Sequence, residues 1–174
     1  YILGWNSQEA GLFLIITPVV IALIGSAAGY LADKVEPQKL ASVGMTFVTV
    51  ALILFSFIGK NTSLYYIACA MVLQGIGIGL FSSPNITTIM SSVPPSETGM
   101  ASASVSAMRV IGQTMSIGIL TLIFALVMGN VVITPEVYSG LIVSCQYAFM
   151  VSAVLCVLAL IASIIGIFTK SELY

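Results

Sequence analysis

The segment that decides the fold is Ser96–Gly118, SETGMASASVSAMRVIGQTMSIG, because it places one arginine inside a long apolar stretch. Read as a helix, five of its polar residues are spaced by four, three, four and three positions and therefore share one face. These residues, called here the polar row, are Ser102, Ser106, Arg109, Gln113 and Ser116. An arginine near the bilayer centre costs about 2.5 to 3.5 kcal/mol on insertion scales, so we expect Arg109 to face protein or water and to have a partner. A structural arginine that reaches the headgroups or binds helix-end carbonyls is the open alternative.

The composition indicates a membrane protein. Of the 174 residues, 59% are hydrophobic and 6% are charged, histidine is absent, and the mean hydropathy is +1.16. Such a chain is far more apolar than a soluble domain. The net charge of −1 and the lack of a basic cluster argue against nucleic acid as a partner.

Motifs for catalysis, metals and cofactors are lacking in the sequence, which argues against an enzyme. No carboxylate pair lies within an apolar stretch, and no nucleophile stands beside a base. Cys69, Cys145 and Cys156 lie in apolar runs without a CxxC pair and are predicted to be small core residues. We therefore predict no metal site, no disulfide and no cofactor.

Five membrane-spanning helices follow from the uncharged intervals, since a helix needs about 20 apolar residues to cross a bilayer. The predicted spans are 9–32, 40–59, 64–90, 97–128 and 135–168. The predicted fold class is all-α, a polytopic transmembrane helix bundle, with residues 1–174 in a single transmembrane domain.

The basic residues predict the orientation of the chain. Lys34, Lys39 and Lys170 fall on one side and Lys60 on the other, so the first side is assigned to the cytoplasm. The chain is thus expected to be a multi-pass protein of the cell membrane, with its first residue outside and its last residue cytoplasmic. No signal peptide is predicted, because no basic region precedes the first apolar run.

Small residues predict where helices approach each other closely. The first span has Gly25 and Gly29 in GxxxG spacing, and the third span contains GIGIG at 75–79. A nucleotide-binding loop is the weaker interpretation of GIGIG, since no third correctly spaced glycine follows and no strand precedes it. The second span is almost purely apolar and is predicted to be a scaffold helix that faces lipid.

A family resemblance comes from the loop after the first span and from later motifs. The loop, residues 29–39, reads GYLADKVEPQK and resembles the G-x-L-A-D-[RK]-x-G-[RK]-[RK] loop of the major facilitator superfamily. Glu36 and Pro37 depart from that pattern. The GIGIG stretch, Pro84-Asn85, and Arg109 with the glycines after it resemble the carboxy-terminal half of a drug:proton antiporter of the fourteen-helix multidrug efflux branch.

The resemblance implies that the five spans match the last five helices of a transporter, with spans one, three and four lining a central cavity and spans two and five outside. It implies a part of a secondary active transporter that exports amphipathic organic compounds by proton antiport. The implied partners are the remaining half of the transporter or another membrane subunit, a small-molecule substrate, protons and the lipid bilayer. The alternative is a truncated transporter-like protein that acts as a non-transporting membrane subunit or scaffold.

Two groups of candidate site residues follow. The cavity or interhelical candidates are Arg109, Gln113, Ser106, Ser116, Gln74 and Asn85. Interhelical hydrogen bonds explain Gln74 and Asn85 equally well. The gating-loop candidates implied by the resemblance are Gly29, Asp33, Lys34 and Lys39. Asp33 would bond N–H groups at a neighbouring helix start; a solvated acid paired with a nearby lysine is the alternative.

Overall fold

The computed structural model describes residues 11, 13–32, 34–59, 62–128 and 138–171, and five long helices dominate this part of the chain. The helices are α1 (Ile16–Ala32), α2 (Pro37–Ser56), α3 (Leu64–Ser91), α4 (Thr98–Met128) and α5 (Tyr138–Ser171). A short 3-10 turn, Pro95–Glu97, precedes α4. The predicted all-α helix bundle is confirmed.

Four of the five helices, α2 to α5, are long and apolar enough to cross a membrane. Helix α1 is apolar but has 17 residues, fewer than the roughly 20 that a crossing takes. Phe13 and Leu14 just before it are also helical, and the helix is interrupted at Ile15. Pro18 explains the interruption, because it has no N–H to donate to the carbonyl of Leu14 and its ring displaces that carbonyl.

The three glycines of GIGIG allow α3 to contact two helices on opposite faces. A Cβ atom built on Gly75 or Gly79 would lie 2.8 Å from Cβ of Val20 or 3.0 Å from Cβ of Ile24, both in α1. A Cβ atom on Gly77 would lie 2.7 Å from the backbone nitrogen of Val48 in α2. Real Cβ atoms do not approach other atoms closer than 3.0 Å, so the packing at Gly75 and Gly77 requires glycine, whereas a Cβ atom at Gly79 would require Ile24 to shift by a few tenths of an ångström. The close helix packing predicted for GIGIG is confirmed.

The GxxxG pair of α1 faces α3 but is less tightly packed than the glycines of α3. A Cβ atom on Gly25 would meet nothing within 4 Å, and one on Gly29 would lie 3.8 Å from the hydroxyl of Ser83. The backbone nitrogen of Gly25 nevertheless lies 3.2 Å from the Cβ atom built on Gly79, so α1 approaches α3 closely at this pair as predicted, and Gly79 is the glycine that the contact requires. Spacing shows that two residues share a face but not on which of the two helices a contact requires glycine.

Helix α2 lies at the centre of the described bundle, between α3 and α5. The hydroxyls of Ser42 and Ser163 are 2.9 Å apart across α2 and α5, and the rings of Phe55 and Phe149 stack at 5.2 Å. Its buried residues are Leu40, Ala41, Ser42, Gly44, Thr49, Ala51 and Phe55. The prediction of a lipid-facing scaffold helix is wrong for most of its surface, because a helix that is apolar all round suits a protein interior as well as lipid.

The carboxyl end of α2 receives hydrogen bonds from both neighbouring helices. The hydroxyl of Tyr66 in α3 donates to the carbonyl of Leu54 at 2.8 Å, and the amide of Gln146 in α5 donates to the carbonyl of Ile58 at 2.7 Å. The carbonyl of Leu54 also accepts from the backbone N–H of Phe57 at 3.2 Å, whereas the carbonyl of Ile58, just after the helix, receives its hydrogen bond from Gln146 where lipid offers no donor. They also fix the relative height of α2, α3 and α5.

Candidate functional site

Helix α4 is the least covered helix of the described bundle. None of its described residues is buried, and it packs against α5 along one side while touching α3 only slightly. Large apolar side chains remain exposed along it, including Met108, Val110 and Leu126 at 68%, 60% and 77%. A surface of this kind is stable only against lipid or against further protein.

The polar row lies on the exposed surface of α4. All five of its residues are exposed, and Arg109, Gln113 and Ser116 share an open depression with Gly112 and Ile117. Ser106 donates a hydrogen bond to the carbonyl of Ser102 at 3.0 Å, a contact within the helix. Arg109 makes no hydrogen bond or ion pair with any residue that the structure describes. The partner expected for it is therefore not in this part of the chain.

The position of Arg109 along α4 determines its depth in a membrane. The helix has 31 residues and is therefore about 46 Å long, whereas the hydrocarbon core is about 30 Å thick. Arg109 comes eleven residues after Thr98, about 16 Å from the start of α4. In a centred helix its Cα atom lies about 8 Å inside the hydrocarbon boundary rather than at the midplane. At this depth a long basic side chain can reach either the interface or a neighbouring protein group.

An apolar groove of about 630 Å³ runs between α4 and α5, here called the α4–α5 groove. Its walls are built mainly from Met115, Ile119, Ile123 and Phe124 of α4 and from Phe149 and Leu155 of α5. Gly112 and Ser116 line both the groove and the depression that holds Arg109. The only positive charge in the described part of α4 thus lies at the rim of an apolar groove.

The two amides of α3 lie apart from Arg109. Gln74 and Asn85 are eleven residues apart, three helical turns, so they share a face that lies between the α1-facing and α2-facing glycines. Both are half-buried, and neither has a hydrogen-bond partner among the described residues. Neither lines the α4–α5 groove or the depression around Arg109. A shared site of the amides and Arg109 therefore stays a prediction.

The loop between α1 and α2 makes local contacts. The ammonium group of Lys34 lies 4.4 Å from the ring centre of Tyr30, and that of Lys39 lies 2.9 Å from a carboxylate oxygen of Glu36. Both side chains of the second pair are more than half exposed, so the pair adds little stability. Asp33 lies outside the described residues, and its gating contact stays a prediction.

The burial of the cysteines was predicted wrongly from the sequence, and the α4–α5 groove was not predicted. Cys69 is exposed, and Cys145 and Cys156 are half-buried, so the prediction of small core residues is wrong. Cys145 lines the α4–α5 groove. From Ile117 to Met128, α4 has one polar residue, Thr121, and α5 is mostly apolar, so little periodic contrast in the sequence marks the groove.

Apolar helices with polar groups on the exposed face of α4 and on a half-buried face of α3 are typical of polytopic membrane proteins that move solutes. The family model of the Major Facilitator Superfamily matches residues 1–172. The chain therefore belongs to the major facilitator superfamily, a family of membrane transporters, and the resemblance given by its loop and glycine motifs is confirmed.

Several curated relatives carry names that state transport. The riboflavin transporter RibZ of Clostridioides difficile (strain 630) is 24% identical over 159 residues, which cover 91% of this chain and 35% of the relative. The uncharacterized transporter YebQ of Escherichia coli (strain K12) is 32% identical over 65% of this chain and 25% of its own length. The multidrug efflux pump LfrA of Mycolicibacterium smegmatis is 29% identical over 59% and 20%. The chain thus spans about a third or less of these relatives.

Proposed function

We propose that this chain forms part of a secondary active transporter that exports amphipathic organic compounds in exchange for protons. Family membership supports the transport class, and the names of LfrA and of the multidrug resistance protein Stp of Mycobacterium tuberculosis support efflux. The observation that carries the proposal is the polar row. It is exposed on a helix without buried residues, and Arg109 has no partner among the described residues.

In this proposal α1, α3 and α4 face a central cavity, and Arg109 braces its wall beside Gln113. Polar groups at lipid depth normally face a cavity or a bundle interior, which favours the same position for Gln74 and Asn85. The described parts of the five helices contain no acidic residue, since Glu36 and Glu97 lie just outside helix starts. The acid that takes up the proton would accordingly come from another part of the assembly, and the second cavity wall from the remaining half.

The proposed orientation places the α1–α2 loop in the cytoplasm, with the first residue of the chain outside and the last residue cytoplasmic. Lys34 and Lys39 support this assignment, because basic residues are enriched in cytoplasmic loops. Tyr65, the second residue of α3, comes after the carboxyl end of α2, on the other side from the α1–α2 loop, and its exposure of 86% agrees with a ring at the outer interface.

Transport can be tested on the product of the complete reading frame that encodes this chain, reconstituted in vesicles with an imposed proton gradient. We expect gradient-dependent movement of a fluorescent amphipathic compound, and a loss of at least about tenfold for Arg109→Ala. Val110→Ala is the matched control, because Val110 is exposed on the same helix but lines neither the depression nor the groove. Unchanged, proton-dependent export by Arg109→Ala would remove Arg109 from the mechanism. Absence of export by the unmodified protein would favour the non-transporting subunit.

A further inference from the structure

The shape of the α4–α5 groove indicates what fills it. It extends from Gly112 to Phe124 along α4 and from Cys145 to Leu155 along α5, about 18 Å and 15 Å at the helical rise. A volume of about 630 Å³ over this length leaves a narrow channel, wide enough for one layer of side chains. Its walls are almost entirely apolar. These are the dimensions and the chemistry of a site for one face of a helix.

The described bundle contains a filled groove of similar construction. Helices α1 and α2 make few contacts with each other, and α3 lies between them and packs closely against both. Transporters are commonly built from repeated helical units, in which one unit repeats the packing of another. By this comparison, a helix also belongs between α4 and α5.

The charge at the rim restricts which helix this can be. Arg109 lies beside Gly112, where an added Cβ atom would meet nothing within 4 Å, so a side chain from outside can approach the guanidinium there. A buried arginine is accommodated at lipid depth when a carboxylate neutralises it. A second copy of this chain would present no acid from the described parts of α1 to α5. The partner helix must therefore differ from those described.

We infer that the α4–α5 groove is covered by a transmembrane helix from outside the described residues, which carries an aspartate or glutamate paired with Arg109. This inference rests on the proposed function only in placing α4 inside a larger membrane assembly. The carboxylate lies at the level of Gly112, where two guanidinium N–H groups donate to its oxygens in a bidentate pair. The rest of the helix packs its apolar face along Ile119 and Phe124.

Site-specific photocrosslinking tests the occupant of the groove. The complete reading frame is expressed in cell membranes with p-benzoylphenylalanine at one of two positions. Phe124 lines the groove, whereas Leu126 is 77% exposed and does not line it. We expect position 124 to crosslink to one transmembrane segment. That segment should carry an acidic residue about 18 Å along the helix axis from the crosslinked position, at the level of Gly112. We expect Leu126 to crosslink mainly to lipid. Crosslinks from Phe124 to lipid alone, to a second copy of this chain, or to a segment without an acid at that level would overturn the inference.

Paired substitutions test the charge pair without measuring transport. Arg109→Gln alone, or the identified acid changed to its amide alone, is expected to lower the yield of folded protein in membranes at least fivefold. The two changes together should restore the yield to within about twofold of the unmodified protein, because no unpaired charge remains. Val110→Gln serves as the matched polar control. A double variant that folds no better than either single variant would overturn the pair. Neither the crosslinking pattern nor the yield of folded protein depends on transport, so a failure of the proposed function would not change these two measurements.

Discussion

Gly77→Ala is predicted to separate α2 from α3. A Cβ atom at Gly77 would lie 2.7 Å from the nitrogen of Val48 and 2.8 Å from the carbonyl oxygen of Gly44, whereas ordinary contacts begin at 3.4 Å. Both obstacles are backbone atoms, so the helices must part by about 0.6 to 0.7 Å. A gap of this size forfeits about a quarter to a half of each dispersion contact, and overpacking of this kind costs about 1 to 3 kcal/mol.

The matched control is Gly118→Ala in α4, where an added Cβ atom meets nothing within 4 Å. Both substitutions gain the same helix propensity, about 1 kcal/mol, so the difference between them isolates the contact. The free energy of unfolding, measured by detergent titration of the purified protein, should be about 1 to 3 kcal/mol lower for Gly77→Ala than for Gly118→Ala. Equal values within about 0.5 kcal/mol would refute the backbone contact between α2 and α3.

Three further predictions concern polar contacts. A double-mutant cycle on Ser42→Ala and Ser163→Ala should give a coupling of about 0.6 kcal/mol and not above about 1.7 kcal/mol, because hydrogen bonds between membrane helices are modest; zero coupling in detergent unfolding would argue against the bond. Gln146→Leu should lower the free energy of unfolding by about 1 to 3 kcal/mol, since it leaves the carbonyl of Ile58 unpaired, and an unchanged value would contradict that role. Lys39→Ala should change stability by less than about 1 kcal/mol, because the pair with Glu36 is exposed; a larger loss in the same assay would show a further partner of Lys39.

The sequence was sufficient to predict the five long helices of the described residues and the polar face of α4. Charges mark the ends of apolar intervals, and the spacing of Arg109 and Gln113 fixes their common face whatever lies around them. The same reasoning also identified GIGIG as a packing motif, because three glycines within five residues leave backbone exposed on both sides of a helix.

The neighbours of each helix could not be predicted in this way. Lipid and protein interiors are equally apolar, so the uniformly apolar pattern of α2 was compatible with a lipid-facing position. In the structure, Ser42 and Gly44 of α2 are buried against neighbouring helices. The spacing of Gly25 and Gly29 indicated a helix contact, but it could not show that the contact depends on Gly79 of α3 for its space. The charge of Arg109 requires a partner, but its position within this sequence does not identify one.

The backbone contact between Gly44 and Gly77 also has a mechanical consequence. Two helices that touch through their main chains have no flexible side chains between them to absorb tilting, so α1, α2 and α3 should move as one stiff block. Helix α4 touches that block only slightly and is joined to it by residues 92–97, which include Pro94 and Pro95. Bending during any rocking motion should therefore concentrate in this six-residue connection, while the glycine contacts keep their geometry.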